Sequence, residues 1–107
     1  MATNSLLTKN GSFKSISTSA FKELIANNKV QLLDVRTPQE FELHKIEGAL
    51  LINFYDADFE EQADAQLDVS IPVAIYCRSG IRSVGAGLRL MEKGFTVYNL
   101  KEGIISW

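Results

Sequence analysis

Cys77, the only cysteine of the chain, ends an apolar, β-branched run and is followed by a glycine and two arginines. The stretch reads Ile71-Pro72-Val73-Ala74-Ile75-Tyr76-Cys77-Arg78-Ser79-Gly80-Ile81-Arg82-Ser83. A helical pattern begins at its far end. A thiol placed there lies at the carboxyl end of a strand and against the N-terminus of a helix. Backbone N–H groups of the loop and helix can then point at the sulfur. Arg78 and Arg82 add positive charge. All of this favours the thiolate, which is the nucleophilic form. Gly80 permits the positive φ that a loop curled around the sulfur often needs. A cradle formed by Arg78, Ser79, Gly80, Ile81 and Arg82 would hold a small anion or a terminal sulfur. The two arginines would orient it by charge-assisted hydrogen bonds.

Other chemistries fit less well. A zinc site lacks ligands, because His44 is the only histidine. The protein-tyrosine-phosphatase pattern would place an arginine one residue later, where this chain has Ser83. A lone cysteine at a strand end is more often a small buried hydrophobe than a nucleophile. Arginines flanking it at a strand-to-helix turn, however, have no obvious packing role. A second constellation, Asp34, Arg36 and Glu40, is expected to support the structure. Arg36 and Glu40 would form an ion pair tying a strand end to the next helix. Asp34 would be a buried hydrogen-bonding carboxylate. His44 is expected at the surface, and the acidic run from Asp56 to Asp64 on a solvated face.

The elements that position these residues alternate between strand and helix. Phe13 to Ile16 reads as a short edge strand. Ser17, Thr18 and Ser19 offer N-caps for a helix with Phe21, Leu24 and Ile25 on one face, ended by Asn27-Asn28. Val30 to Val35 is a near-continuous apolar run, as expected of a strand buried on both faces. Thr37, Pro38 and Glu40 spell a helix start, with N-cap, first helical residue and capping-box partner in order. Phe41 is the clearest apolar contact of that helix. Gly48 closes the region. Ala49 to Phe54 reads as a strand, Tyr55 to Asp68 as a surface helix or loop, and Ile71 to Tyr76 as the strand before the cysteine. Val84, Leu88 and Met91 recur at helical spacing until Gly94. Thr96 to Leu100 is a last strand, and Gly103 to Trp107 a final turn. The pattern predicts an α/β domain with a largely parallel sheet, whose ligands gather at the carboxyl ends of the strands.

The 107 residues fit one domain. Residues 1–12 are expected to be a loose tail and residues 13–107 the domain. A net charge of −2 gives no basic field for nucleic acid. No apolar stretch reaches membrane-spanning length, and the N-terminus lacks the apolar core of a signal peptide. The expectations are therefore a cytoplasmic monomer, with neither nucleic-acid nor membrane partners.

Several segments together resemble the rhodanese-like domain family. Leu33-Asp34-Val35-Arg36-Thr37-Pro38-Gln39-Glu40-Phe41 resembles its first signature, and Ile46-Glu47-Gly48-Ala49 the stretch that follows. Val73 to Ser83 resembles its active-site loop, and Asn99 to Ile104 with Trp107 its closing motif. The resemblance runs from about Phe13 to Trp107. It implies a five-stranded parallel sheet flanked by helices on both faces, and sulfurtransferase chemistry. Cys77 takes the place of the family's sulfur-carrying cysteine. Its thiolate would attack the outer sulfur of thiosulfate, expel sulfite and hold a persulfide. Backbone N–H groups of residues 78–82 would stabilise that persulfide, and Arg78 and Arg82 would bind the donor's sulfonate. The acceptor would be cyanide, a small thiol or a protein thiol, and no cofactor or metal is implied. The chain departs from the family at Lys45 and Glu47, where His and Pro are usual. It also departs at Glu102, where the first of two glycines is usual. Two other readings stand beside small-molecule transfer: a persulfide carrier serving a partner protein, and a non-catalytic anion-binding or regulatory module.

Overall fold

The structure, a computed structural model, describes residues 11–27 and 29–107. Most of the expected tail, residues 1–10, lies outside the described residues, as does Asn28. The elements in chain order are β1 (Ser12–Ile16), α1 (Thr18–Ala26), β2 (Gln31–Asp34), α2 (Pro38–Leu43) and β3 (Leu50–Leu51). They continue with α3 (Phe59–Gln66), β4 (Val73–Tyr76), α4 (Ile81–Glu92), β5 (Thr96–Leu100) and a 3₁₀ turn, Ile104–Ser106. The five strands form one parallel sheet in the order β1-β5-β4-β2-β3. The strand carrying Cys77 at its end thus lies centrally, paired on both sides.

Alternation along β4 divides the core. Val73, Ile75 and Cys77 face one layer, shared with Leu33, Phe59, Ala63, Ala86, Leu90 and Val97. Ala74 and Tyr76 face the other, shared with Phe21, Ile46, Leu100 and Ile104. Helices α3 and α4 therefore cover one face and α1 the other. All four residues of β4 are buried, which explains a strand that reads as a continuous apolar run.

Local signals behave as their chemistry dictates. Ser17 caps α1 by accepting from the Ala20 N–H. Thr37 and Glu40 form a full capping box with Pro38 just inside it. Several expectations are corrected. The third strand is only Leu50–Leu51, not Ala49 to Phe54. Beyond it the chain keeps single bonds to its neighbour, Ile52 N–H to the Asp34 carbonyl and Phe54 N–H to that of Val35. Strand β1 begins at Ser12, which pairs with Thr96, so Ser12 belongs to the sheet rather than to a tail. The acidic segment is not simply a solvated face, because α3 buries Phe59 and Ala63. Helix α4 buries Ser83, Ala86, Gly87 and Leu90, while Leu88 is exposed. Phe41 is only partly covered, and α2 buries no side chain.

Candidate active site

The loop after β4 closes on the Cys77 sulfur. Gly80 takes φ +96° as the N-cap of α4, and its N–H donates to Sγ at 3.1 Å. The Ser83 N–H donates to the same sulfur at 3.3 Å, and the Ser83 hydroxyl lies 3.3 Å from it. Three donors from the loop and the first turn of α4 thus converge on one sulfur. Cys77 itself is wholly buried. Oriented N–H groups at a helix start are a ready site for negative charge. Gly80 and Ser83 hold that position because a sharp left-handed residue must precede the helix for its N–H groups to turn inward.

A second segment fixes the loop from behind. The Ile104 N–H donates to the Cys77 carbonyl at 2.9 Å, and the Ile105 N–H to that of Arg78 at 3.1 Å. Backbone meets backbone here. A Cβ on Gly103 would lie 2.1 Å from the Arg78 oxygen, and one on Gly80 would lie 2.3 Å from that of Lys101. Gly103 also takes φ +77°. Glu102, the departure from the usual glycine pair, is exposed in the preceding turn and leaves this contact untouched. The segment is anchored to α1 by Trp107, whose ring meets Phe21 edge-on at 6.0 Å, and by Ser106, 2.7 Å from Thr18.

The arginines are placed differently from expectation. Arg36 does not pair with Glu40. Its Nε and Nη2 bind Asp34 at 2.6–3.1 Å, in a pair with both side chains buried. The reason is local geometry: the Arg36 N–H also bonds the Asp34 carboxylate, so the chain turns back on itself at the strand end. Arg36 additionally donates to the His44 carbonyl and lies over the Tyr76 ring. Burial would lower the Arg36 guanidinium, but the hydrogen bond and charge of Asp34 prevail and raise it. Burial pushes the Tyr76 phenol well above its ordinary value. Its oxygen accepts from the Ile46 N–H.

Glu40 instead receives Arg82 in a bidentate pair, both bonds 2.9 Å. The Arg82 bond, with bonds from Thr37, holds the Glu40 carboxyl at about 2. Arg82 also lies 5.5 Å from the Tyr55 ring. This pair ties the start of α4 to α2 and commits one of the two arginines expected to take a sulfonate. The other, Arg78, is exposed, as are Ser79 and Ile81. Among the described residues Arg78 joins no ion pair. It lines a groove of about 380 Å³ with Leu43, His44, Ile105 and Trp107. The residue that sequence reasoning missed is Ser83, noted only as the place where a phosphatase arginine was lacking.

The Rhodanese-like domain family matches residues 17–107. GlpE of Shewanella oneidensis, named a thiosulfate sulfurtransferase, is 34% identical over 98 residues, 90% of this chain and 93% of that protein. The uncharacterized protein YqhL of Bacillus subtilis is 39% identical over 80 residues, 74% of this chain and 61% of that protein. The chain thus spans less than two thirds of YqhL, and only 31% of another curated relative. Among solved structures, a rhodanese-related protein from Thermoplasma volcanium superposes with a TM-score of 0.78 at 28% identity, covering 88% of this chain and 89% of that one. With its fold, its loop and its relatives in agreement, the chain belongs to the rhodanese-like domain family.

Proposed function

We propose that the protein moves sulfane sulfur from thiosulfate, or a similar donor, to a nucleophilic acceptor through a Cys77 persulfide. The observation that carries this reading is the convergence of the Gly80 N–H, the Ser83 N–H and the Ser83 hydroxyl on the buried Cys77 sulfur. Such donors are suited to a negative sulfur. In the first half-reaction the Cys77 thiolate attacks the outer sulfur of thiosulfate. A bond forms between the two sulfurs, the bond to the sulfonate sulfur breaks, and sulfite leaves with the electron pair. In the second, cyanide or a thiolate takes the outer sulfur and Cys77 regains its charge. Since Cys77 is wholly buried, the loop of residues 78–82 must yield to admit the donor. Arg78, exposed and free of ion pairs among the described residues, is the better placed of the two arginines to receive an incoming sulfonate. The similarity to GlpE, a thiosulfate sulfurtransferase by name, supports the donor assignment by analogy.

A protein acceptor is a second reading, and one observation favours it. Leu43, Ile81 and Ile105, near the loop and its groove, are 88%, 78% and 61% exposed. Apolar side chains grouped around a reactive position suit contact with another protein surface. Both readings share the persulfide and are tested first in the same way. Purified protein is incubated with thiosulfate and its intact mass measured. The expected result is a gain of one sulfur atom that is absent in Cys77→Ser, with the fold of that variant unchanged. A folded protein with a free thiol that gains no sulfur overturns the thiosulfate assignment.

A further inference from the structure

We propose that Ser83 is a catalytic residue of the discharge half-reaction: its hydroxyl stabilises the Cys77 sulfur as that sulfur becomes the leaving group. The proposal rests on the persulfide reading above. Ser83 is wholly buried in the first turn of α4, and its hydroxyl lies 3.3 Å from Sγ. Among the described residues no other hydrogen bond of that hydroxyl is seen. A serine in a helix commonly turns its hydroxyl back to the backbone, and a buried hydroxyl left without a partner is costly. If only volume mattered, alanine would serve at this position, as it does one turn on at Ala86, which is also buried against the core. The arginines do not replace it, because Arg82 is held by Glu40 and Arg78 is exposed.

The two half-reactions place charge on Sγ in opposite ways. During loading, Sγ begins negative and loses charge as it bonds to the donor's outer sulfur. In the persulfide anion the charge resides on the outer sulfur. During discharge the acceptor's electron pair forms a bond to the outer sulfur. The sulfur–sulfur bond breaks, and its pair stays on Sγ. A donor aimed at Sγ is therefore stronger in the discharge transition state than in the persulfide before it. That differential accelerates discharge. The same donor offers loading no such gain, since it already binds the attacking thiolate.

The test uses cyanide as acceptor, at a pH where alkylation of Cys77 has reached its plateau rate. The Ser83→Ala variant should gain one sulfur from thiosulfate to the same extent as the parent. Its kcat/KM for cyanide should fall about tenfold or more, the loss of a hydrogen bond to a charged group, whereas kcat/KM for thiosulfate should not fall and should rise as the attacking thiolate loses a donor. Ser83→Thr, which keeps the hydroxyl, should recover most of the cyanide value. An unchanged cyanide value in Ser83→Ala overturns the proposal. So do equal losses for both substrates in the Ala and Thr variants, which would mark a packing role. A parent protein that gains no sulfur overturns the thiosulfate assignment on which this test rests, and is distinguishable from a loaded parent with an indifferent Ser83.

Discussion

Asp34 shows how a single carboxylate can hold a strand end. It is wholly buried, and its partner Arg36 is 4% exposed, so neither charge has water to fall back on. Such a pair adds little net stability over apolar residues, yet breaking it by removing one partner is severe. Asp34→Asn keeps the shape and leaves the Arg36 guanidinium without its counter-charge. We expect a loss of about 3–5 kcal/mol. It would be read as a lower urea midpoint with unchanged slope; a loss under about 1 kcal/mol would mean that Arg36 finds other compensation. The residues singled out by type, Cys77, Gly80, Arg82 and Glu40, are brought together around the loop of the candidate site. Their pairing was not legible from their types. Helix-start spacing suggested Arg36 with Glu40, whereas the turn geometry gives Arg36 to Asp34 and Glu40 to an arginine 42 positions away. Contacts that long in sequence leave no periodic trace. Ser83 was missed for a related reason: a serine carries no signal until the helix start places its hydroxyl on the sulfur.

Helix α4 owes its position to small residues. A Cβ on Gly87 would come within 2.5 Å of the Phe13 ring and 3.2 Å of Val97, so the helix lies nearly in contact with β1 and β5. Helix propensity alone favours alanine over glycine by about 1 kcal/mol. At Gly87 the clash should outweigh that gain, and Gly87→Ala should lower the melting temperature. Gly85 provides the contrast, because its Cβ would meet only the Phe54 ring at 3.2 Å. Gly85→Ala should be close to neutral. A Gly87→Ala variant more stable than Gly85→Ala would refute this account of the packing. The same small residues explain why the buried face of α4 was misplaced. Large apolar residues dominate a periodicity, and Val84, Leu88 and Met91 mark a stripe offset from the true one. The true face, Ser83, Ala86, Gly87 and Leu90, is mostly small because it must approach the sheet. Behind the loop, Gly103→Ala should push the Arg78 peptide away from the 3₁₀ turn. With both a clash and a positive φ, it should cost about 1–3 kcal/mol, seen in thermal unfolding. It should also slow persulfide loading.

Over the whole molecule, the alternation of strands and helices made five strands and a largely parallel sheet legible, while the family resemblance implied that all five share it. The strand order was hidden, because it depends on which crossovers pack and not on any local pattern. One consequence of that order is that α2, after β2, lies close enough to the start of α4 for Glu40 to reach Arg82. The pair therefore joins two crossovers around the loop, and its titration should be visible in global stability. Glu40 is held at about 2, against an ordinary value of 4.5, chiefly by its bond to Arg82. A carboxylate depressed in the folded state binds fewer protons there than in the unfolded chain. Its contribution is complete above the unfolded value and disappears as pH falls from about 4.5 toward about 2. Both side chains are partly exposed, so solvent screening limits the contribution to about 1–2 kcal/mol. The parent and Glu40→Gln should thus differ in urea stability by that amount near neutral pH, and the gap should close below the ordinary value of 4.5. The exposed pairs of Lys93 and Arg89 with α3 carboxylates contribute little and serve as the control. A gap that persists unchanged into strong acid would show that Glu40 acts through packing or its capping box, and not through its charge on Arg82.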